Sequence, residues 1–297
     1  MLNKLLEKLK SLFGNKTPAM LDSSTPHVQN RAAEMSRQNT VSELRYAAGQ
    51  SIGRVRKQNE DSLFANSIVI AGNNKQTRVG IFIIADGMGG HHHGEVASGL
   101  AINTIISELQ DSILLPLYNQ KEKLFENNSL HEILQHAVSS AQNAVVNAVP
   151  GAGTTVTMVV VVNSQASIVN IGDSRCYLLP DDGSIQSLTI DHSLVNRLVE
   201  LGQITAEEAV QHPQKNILYK AIGQKGEIDA DIETHSLHSG DRLLLCSDGL
   251  WGQISDDLLQ NAITSAASLD QAVEDLISLA NGSGGPDNIS AILIQVP

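Results

Sequence analysis

Five stretches of the sequence place a carboxylate at a glycine- or turn-rich junction: QNED with Glu60 and Asp61, IIADGMGG with Asp86, NIGDSR with Asp173, LLCSDGLWG with Asp248 and GGPDNIS with Asp287. An apolar strand can carry such a carboxylate to a sheet's edge, where glycine lets the backbone turn sharply or approach a ligand closely. Singly, each stretch is explained as a turn after a strand, because Asp-Gly, Asp-Ser and Pro-Asp are ordinary turn sequences. Together they suggest convergence, above all because Asp86 and Asp248 follow runs too apolar for an exposed edge. Two carboxylates about 4 Å apart repel by roughly 4 kcal/mol at an effective dielectric near 20. A converging cluster therefore needs bound cations or shared protons, and metal is the simpler solution. All-oxygen ligation suits Mg²⁺ and Mn²⁺ rather than zinc. His91, His92 and His93 invite a zinc reading, but neighbours on one backbone rarely face a common centre and no second Cys/His cluster stands at ligand spacing. They are expected to line the start of a helix opened by Gly94 and Glu95.

The elements that must position these carboxylates are legible from periodicity. Strands are expected at LRYAAG, DSLFANSIVI and RVGIFIIAD, then at TTVTMVVVV, ASIVNIG and SRCYLL, with a turn over Pro180–Gly183. A strand RLLLCS and a closing strand NISAILIQV follow later in the chain. Helices are expected from Glu95 to about Leu109, from Leu130 to about Val149, with a less regular piece around Pro116 between them, and from about Ser255 to Leu279. Strands come in groups and so do helices, which argues for an α+β fold with antiparallel sheets rather than an alternating parallel one.

At 297 residues the chain can bury one large core. A net charge of −12 leaves no basic surplus for nucleic acid, so none is expected as a partner. Cys176 and Cys246 each sit inside an apolar run and read as buried strand residues, not as a disulfide or a thiolate metal site. No apolar stretch reaches the roughly 20 residues of a membrane span and no secretory h-region is present, which reads as cytoplasmic. Residues 1–43 are expected to form a leader: Leu2, Leu5, Leu6, Leu9, Leu12 and Phe13 at helical spacing with Lys4, Lys8 and Lys10 between them, then a polar linker. Such a helix could lie on an anionic membrane, dock in a partner's groove or pack on its own domain. The body is expected over 44–297.

Taken in order, RKQNED (56–61), ADGMGGHHHGEVAS (85–98), GAGTTVT (151–157), NIGDSRCYLL (170–179), CSDGLWG (246–252) and GGPDN (284–288) resemble the metal-dependent protein phosphatases, the type 2C serine/threonine family in its bacterial form. The resemblance spans about Leu44 to Val296. It implies a four-layer α-β-β-α sandwich of two antiparallel β-sheets flanked by helices, with Mn²⁺ or Mg²⁺ in a cleft at one end. It further implies that Asp86 bridges two ions, with Glu60 and the carbonyl of Gly87 on one and Asp248 and Asp287 on the other. Asp61 and Asn288 would support these ligands from behind, and Asp173 with Asp248 would hold a third ion. Arg56 matches the family's phosphate-binding arginine, and its planar fork suits two phosphate oxygens. In the implied reaction a metal-activated water attacks phosphorus, so neither Ser174, Ser247 nor Cys246 is needed as a nucleophile.

Two departures matter. Met88 stands where eukaryotic relatives carry a histidine that can protonate the leaving group, and Gly252 stands where many relatives carry an aspartate that helps the third ion. The segment Thr189 to Gly226 matches the mobile flap beside the active site, or is a plain surface excursion. The implied function is hydrolysis of phosphoserine and phosphothreonine in proteins, reversing a cognate Ser/Thr kinase. The alternative is a non-catalytic phosphoprotein-binding regulator, whose signature would be lost ligands; all the expected carboxylates are present.

Overall fold

The computed structural model describes residues 42–72, 75–89, 93–119 and 129–297. The leader helix, most of the linker, His91 and His92 lie outside these residues. Among the described residues eleven strands form two antiparallel sheets. One sheet is ordered β1 (Arg45–Ser51), β11 (Ile289–Gln295), β10 (Arg242–Cys246), β7 (Arg175–Leu179), β8 (Gln186–Ser187). The other runs β2 (Asp61–Gly72), β3 (Lys75–Met88), β5 (Val156–Val162), β6 (Gln165–Ile171), β9 (Asp231–Ser236), with the short β4 (Gly153–Thr154) on the end of β3.

The long apolar runs follow from burial on both faces. Along β3, Ile81, Ile83 and Ala85 pack against α1 (Gly94–Leu109) and α3 (Leu130–Ala148). The alternate residues Phe82 and Ile84 instead meet Leu243, Leu245, Ile292 and Ile294 of the facing sheet. The outer face of that sheet, with Tyr177, Leu244, Ala291 and Leu293, is covered by α7 (Asp256–Ser265) and α8 (Leu269–Gly282). Four layers result, as the motifs imply. Phe82 is fully buried between the sheets, and truncating a side chain of its kind costs about 3–5 kcal/mol.

Helix starts are encoded locally. Ser129 and Glu132 exchange hydrogen bonds in a capping box that opens α3. Three features depart from expectation. The piece around Pro116 is helical among the described residues: a π turn (Gln110–Leu114) runs into α2 (Leu115–Tyr118), which accepts Pro116 because its first turn needs no N–H there. Asp248 does not sit in a turn but begins a four-residue helix, α6 (Asp248–Trp251). β9 is unannounced by its DIETHS sequence because it is a mostly exposed edge strand with little to bury.

Strand pairing sets the place of the chemistry. Asp61 at the start of β2 faces Asp86 near the end of β3. In the other sheet Arg175 at the start of β7 is level with Cys246 at the end of β10, which is level with Ala291 near the start of β11. The junctions carrying all five acidic motifs thus open at one end of the sandwich.

Candidate active site

Each acidic junction is held by its own backbone and side-chain bonds. The N–H of Asp86 donates to Thr155 Oγ1 at 2.9 Å, and its carbonyl accepts from the Thr155 N–H and from Thr154 Oγ1, both at 2.9 Å. Gly87 then passes directly against the Glu60 carbonyl and the backbone of Gly94, so closely that a Cβ at this position would collide with both. Its N–H donates to the Glu60 carbonyl at 3.2 Å, which fixes the first acidic loop to the second.

Asn288 ties a third loop to these two. Its Oδ1 accepts the Glu60 N–H at 2.8 Å, while Nδ2 donates to the carbonyls of Ile52 and Gln58 at 2.9 Å each. Asp61 lies deeper: one carboxylate oxygen accepts from Ser247 Oγ at 2.8 Å and Ser290 Oγ at 2.7 Å, and the other is buried without a partner. Ser247 in turn accepts the Ser290 N–H at 2.9 Å. Asp61 and Asn288 thus stand behind the cavity, joining the loops that bear Glu60, Asp248 and Asp287.

A cavity of about 190 Å³ lies in front of them, lined by Arg56, Glu60, Asp86, Gly87, Asp173, Asp248 and Asp287, with Met88, Gly89, Thr155, Asn216 and Leu218 completing the wall. Every residue expected to bind metal or phosphate borders this one space. A larger groove of about 400 Å³ between β1 and α8 has no such convergence of carboxylates, and only Asp270 and Glu274 border it. Arg56 bonds Asp287 Oδ2 at 2.6 Å with half of its side chain exposed, so other guanidinium donors remain for a ligand.

The electrostatics are those of a cation site. Burial first, then the charges of Asp61, Asp248, Asp173 and Asp287, push Asp86 far above the usual carboxylate range. Burial and Asp287 raise Asp248 to about 6, and burial with Asp248 and Asp191 raises Asp173 to about 8. Asp61 is raised to about 6 by burial, although its two serine bonds oppose the shift. Arg56 goes the other way: burial works against its charge, but the bond to Asp287 and the nearby carboxylates hold it protonated. Among the described residues Asp248 Oδ1 is buried without a hydrogen-bond partner. No three His, Cys, Asp or Glu side chains among the described residues already close on one point. Mutually repelling carboxylates are expected to stand apart until a cation draws them in. An unpartnered carboxylate oxygen, a backbone carbonyl and several oxygen donors around one space fit hard divalent ions.

The Asp173 turn is clamped from both sides, a feature that no sequence signal announced. The carbonyl of Asp173 accepts the Trp251 indole N–H at 2.9 Å. Gly172 gives its N–H to His192 Nδ1 at 3.0 Å and accepts the His192 N–H at 2.9 Å. The Arg175 guanidinium lies 3.5 Å over the Trp251 ring and grips Asp191 through bonds of 2.9 and 2.7 Å. The expected flap starts here, carries α4 (Leu194–Glu200) and α5 (Ala206–Val210), and returns to put Asn216 and Leu218 on the cavity wall. Gly252 ends α6 and donates its N–H to the Asp248 carbonyl. His93 precedes α1 without a side-chain cap bond.

A protein-family model of protein phosphatase 2C matches residues 48–293. The serine/threonine phosphatase Stp of Listeria innocua is 36% identical over 243 residues, which cover 82% of this chain and 92% of that one. Protein phosphatase PhpP of Streptococcus pneumoniae is 38% identical over 251 residues, 82% of this chain and 94% of its own. Among solved structures, the serine/threonine phosphatase PstP/Ppp of Mycobacterium tuberculosis aligns with a TM-score of 0.71 at 35% identity, over 86% of this chain and 99% of that one. A structure of the PstP catalytic domain in complex with two manganese ions aligns with a TM-score of 0.68 at 33% identity, over 86% and 99%.

Proposed function

The chain belongs to the protein phosphatase 2C family, a metal-dependent serine/threonine protein phosphatase, and from that premise we propose that its reaction runs in the cavity bordered by Arg56, Asp86 and Asp248. The observation that carries this reading is the convergence of five carboxylates on one space of about 190 Å³, with their buried members pushed toward protonation. Glu60, Asp86, the Gly87 carbonyl, Asp248 and Asp287 would hold two ions, and Asp173 with Asp248 a third. When bound, Mn²⁺ or Mg²⁺ supplies Lewis acidity that acidifies water and offsets charge on phosphoryl oxygens.

The chain's own groups do the rest. Bonds from Thr154 and Thr155 fix the Asp86 backbone, and with it the point from which its carboxylate reaches the cavity. Arg56 presents its remaining N–H donors to two oxygens of the substrate phosphate and orients it for in-line attack by water. Neither Cys246 nor Ser247 is placed to act as a nucleophile. Burial pushes the Cys246 thiol up to about 12 within the core, and the Ser247 hydroxyl is committed to Asp61. Met88 on the wall offers no proton to the leaving serine or threonine oxygen, so this side chain is not its general acid. The non-catalytic alternative gains no support, because none of the ligand positions is lost.

Phosphorylated proteins are the substrates this reading implies, and a Ser/Thr kinase that makes them is the natural opposing partner. A cytoplasmic site and contact with a membrane or partner through residues 1–13 belong to the same proposal; among the described residues no helix is long and apolar enough to cross a membrane. The test is phosphate release from a phosphothreonine peptide before and after chelation. Turnover should vanish with EDTA and return with Mn²⁺, whereas undiminished turnover in EDTA would defeat the reading.

A further inference from the structure

Arg54, Arg56 and Lys57 put three cations within four residues, and no other four-residue window of the sequence does so. They stand on a chain of net charge −12, beside a cavity whose own wall is acidic. Arg56 is spoken for by Asp287 and the cavity. Arg54 and Lys57 are exposed, and among the described residues neither has an ion-pair partner.

Their loop is held firmly. Gly53 turns the chain with φ +81, where a side chain would strike the Asp287 backbone. The Arg54 N–H donates to the Gly285 carbonyl at 2.7 Å, and Asn288 grips the carbonyls of Ile52 and Gln58 on either side. Two exposed cations therefore flank Arg56, which borders the reaction cavity, on a backbone segment tied to the loop that supplies Asp287. Between them Val55 is 68% exposed, which leaves an open surface rather than a covered one.

We propose that Arg54 and Lys57 form a second anion subsite, which receives a carboxylate or a second phosphate close in sequence to the phosphorylated serine or threonine of the substrate. The proposal rests on the phosphatase reading of the cavity. An acidic enzyme repels acidic substrates at long range, and a local pair of cations reverses that sign where the substrate segment lies. Arginine's fork suits either oxyanion, while lysine adds a point charge. Because both side chains are exposed, the preference is modest and screened by salt.

The experiment compares three phosphothreonine peptides that differ only beside the phosphothreonine: Gln, Glu, or a non-hydrolysable phosphonate analogue of phosphoserine. kcat/KM is measured for the wild type and for Arg54→Gln/Lys57→Gln, with para-nitrophenyl phosphate as a substrate that has no flank. The wild type should favour an anionic flank roughly three- to tenfold, the sum of two exposed ion pairs. In the double variant that ratio should shrink below about twofold while para-nitrophenyl phosphate and the Gln peptide are turned over unchanged, and in high salt the wild type's ratio should shrink likewise. A gain with the phosphonate alone assigns the subsite to a second phosphate; a gain with both assigns it to any anion. Equal rates on all three peptides in the wild type, or a preference that survives the double substitution in a variant of unchanged melting temperature, would overturn the subsite. Failure of the wild type on every substrate would instead strike the phosphatase reading beneath it.

Discussion

Arg56 is the residue whose role is most readily separated from the fold. Its side chain is half exposed and among the described residues bonds only Asp287, so Arg56→Ala should leave the melting temperature nearly unchanged. Losing a charge-assisted contact to phosphate costs about 1.5–3 kcal/mol, which predicts a fall in kcat/KM of roughly 10- to 100-fold. Steady-state kinetics on a phosphopeptide checks this, and an unchanged kcat/KM would remove Arg56 from the site. Residues of this kind were legible in the sequence because their motifs pair a charged group with a turn signal: Asp86, Asp248 and Asp287 all border the cavity, as do Arg56, Glu60, Gly87 and Asp173. Thr155, Asn216 and Leu218 on the wall carried no such signal. An uncharged side chain becomes part of a site only through folding, which periodicity does not report.

Among the elements, the loops matter more than the strands. One amide, Asn288, spans three backbone groups of the 52–60 segment that carries Arg56 and Glu60. Asn288→Ala removes the hydrogen bonds to the Glu60 N–H and to the Ile52 and Gln58 carbonyls, and each lost bond costs about 1–3 kcal/mol unless water replaces it. We expect a lowered melting temperature together with Mn²⁺ affinity weakened by 10- to 100-fold, as is typical when the partners that orient metal ligands are removed. Calorimetric Mn²⁺ titration distinguishes this from a general loss of stability; native affinity in the variant would contradict the staple. Strands buried on both faces, such as VTMVVVV, were legible as continuous apolar runs. β9 and α6 were not, because an edge strand and a one-turn helix bury too little to impose a pattern. The flap's ends, Thr189 and Gly226, were given by the resemblance rather than by a periodic pattern. They depend on His192 meeting Gly172 and on Gln142 on α3, which donates to the Gln224 and Gly226 carbonyls and accepts the Gly223 N–H.

For the whole molecule, the acidic end of the sandwich makes stability a function of pH and metal together. Folding raises Asp61 and Asp248 to about 6 and Asp173 to about 8, and burial with the neighbouring carboxylates pushes Asp86 well above its ordinary range, among the charges of Glu60, Asp287 and Arg56. These groups keep protons in the folded metal-free protein that the unfolded chain releases near pH 4. Their contribution to stability is therefore complete below about pH 4 and is lost as pH rises through about 6 to 8. Divalent cations take the protons' place, so the melting temperature of the metal-free protein should fall between about pH 5 and 8 and the rise on adding Mn²⁺ should be larger at the upper end. A Mn²⁺ effect independent of pH would show that these carboxylates do not hold the metal. The claim that they do is tested most directly by Mn²⁺-dependent phosphate release from a phosphothreonine peptide, comparing the wild type with Asp86→Asn and Asp248→Asn. Turnover that requires Mn²⁺ in the wild type and falls at least about 100-fold in both folded variants is the predicted result; near-native turnover in either would contradict the assignment of that carboxylate to the metal centre.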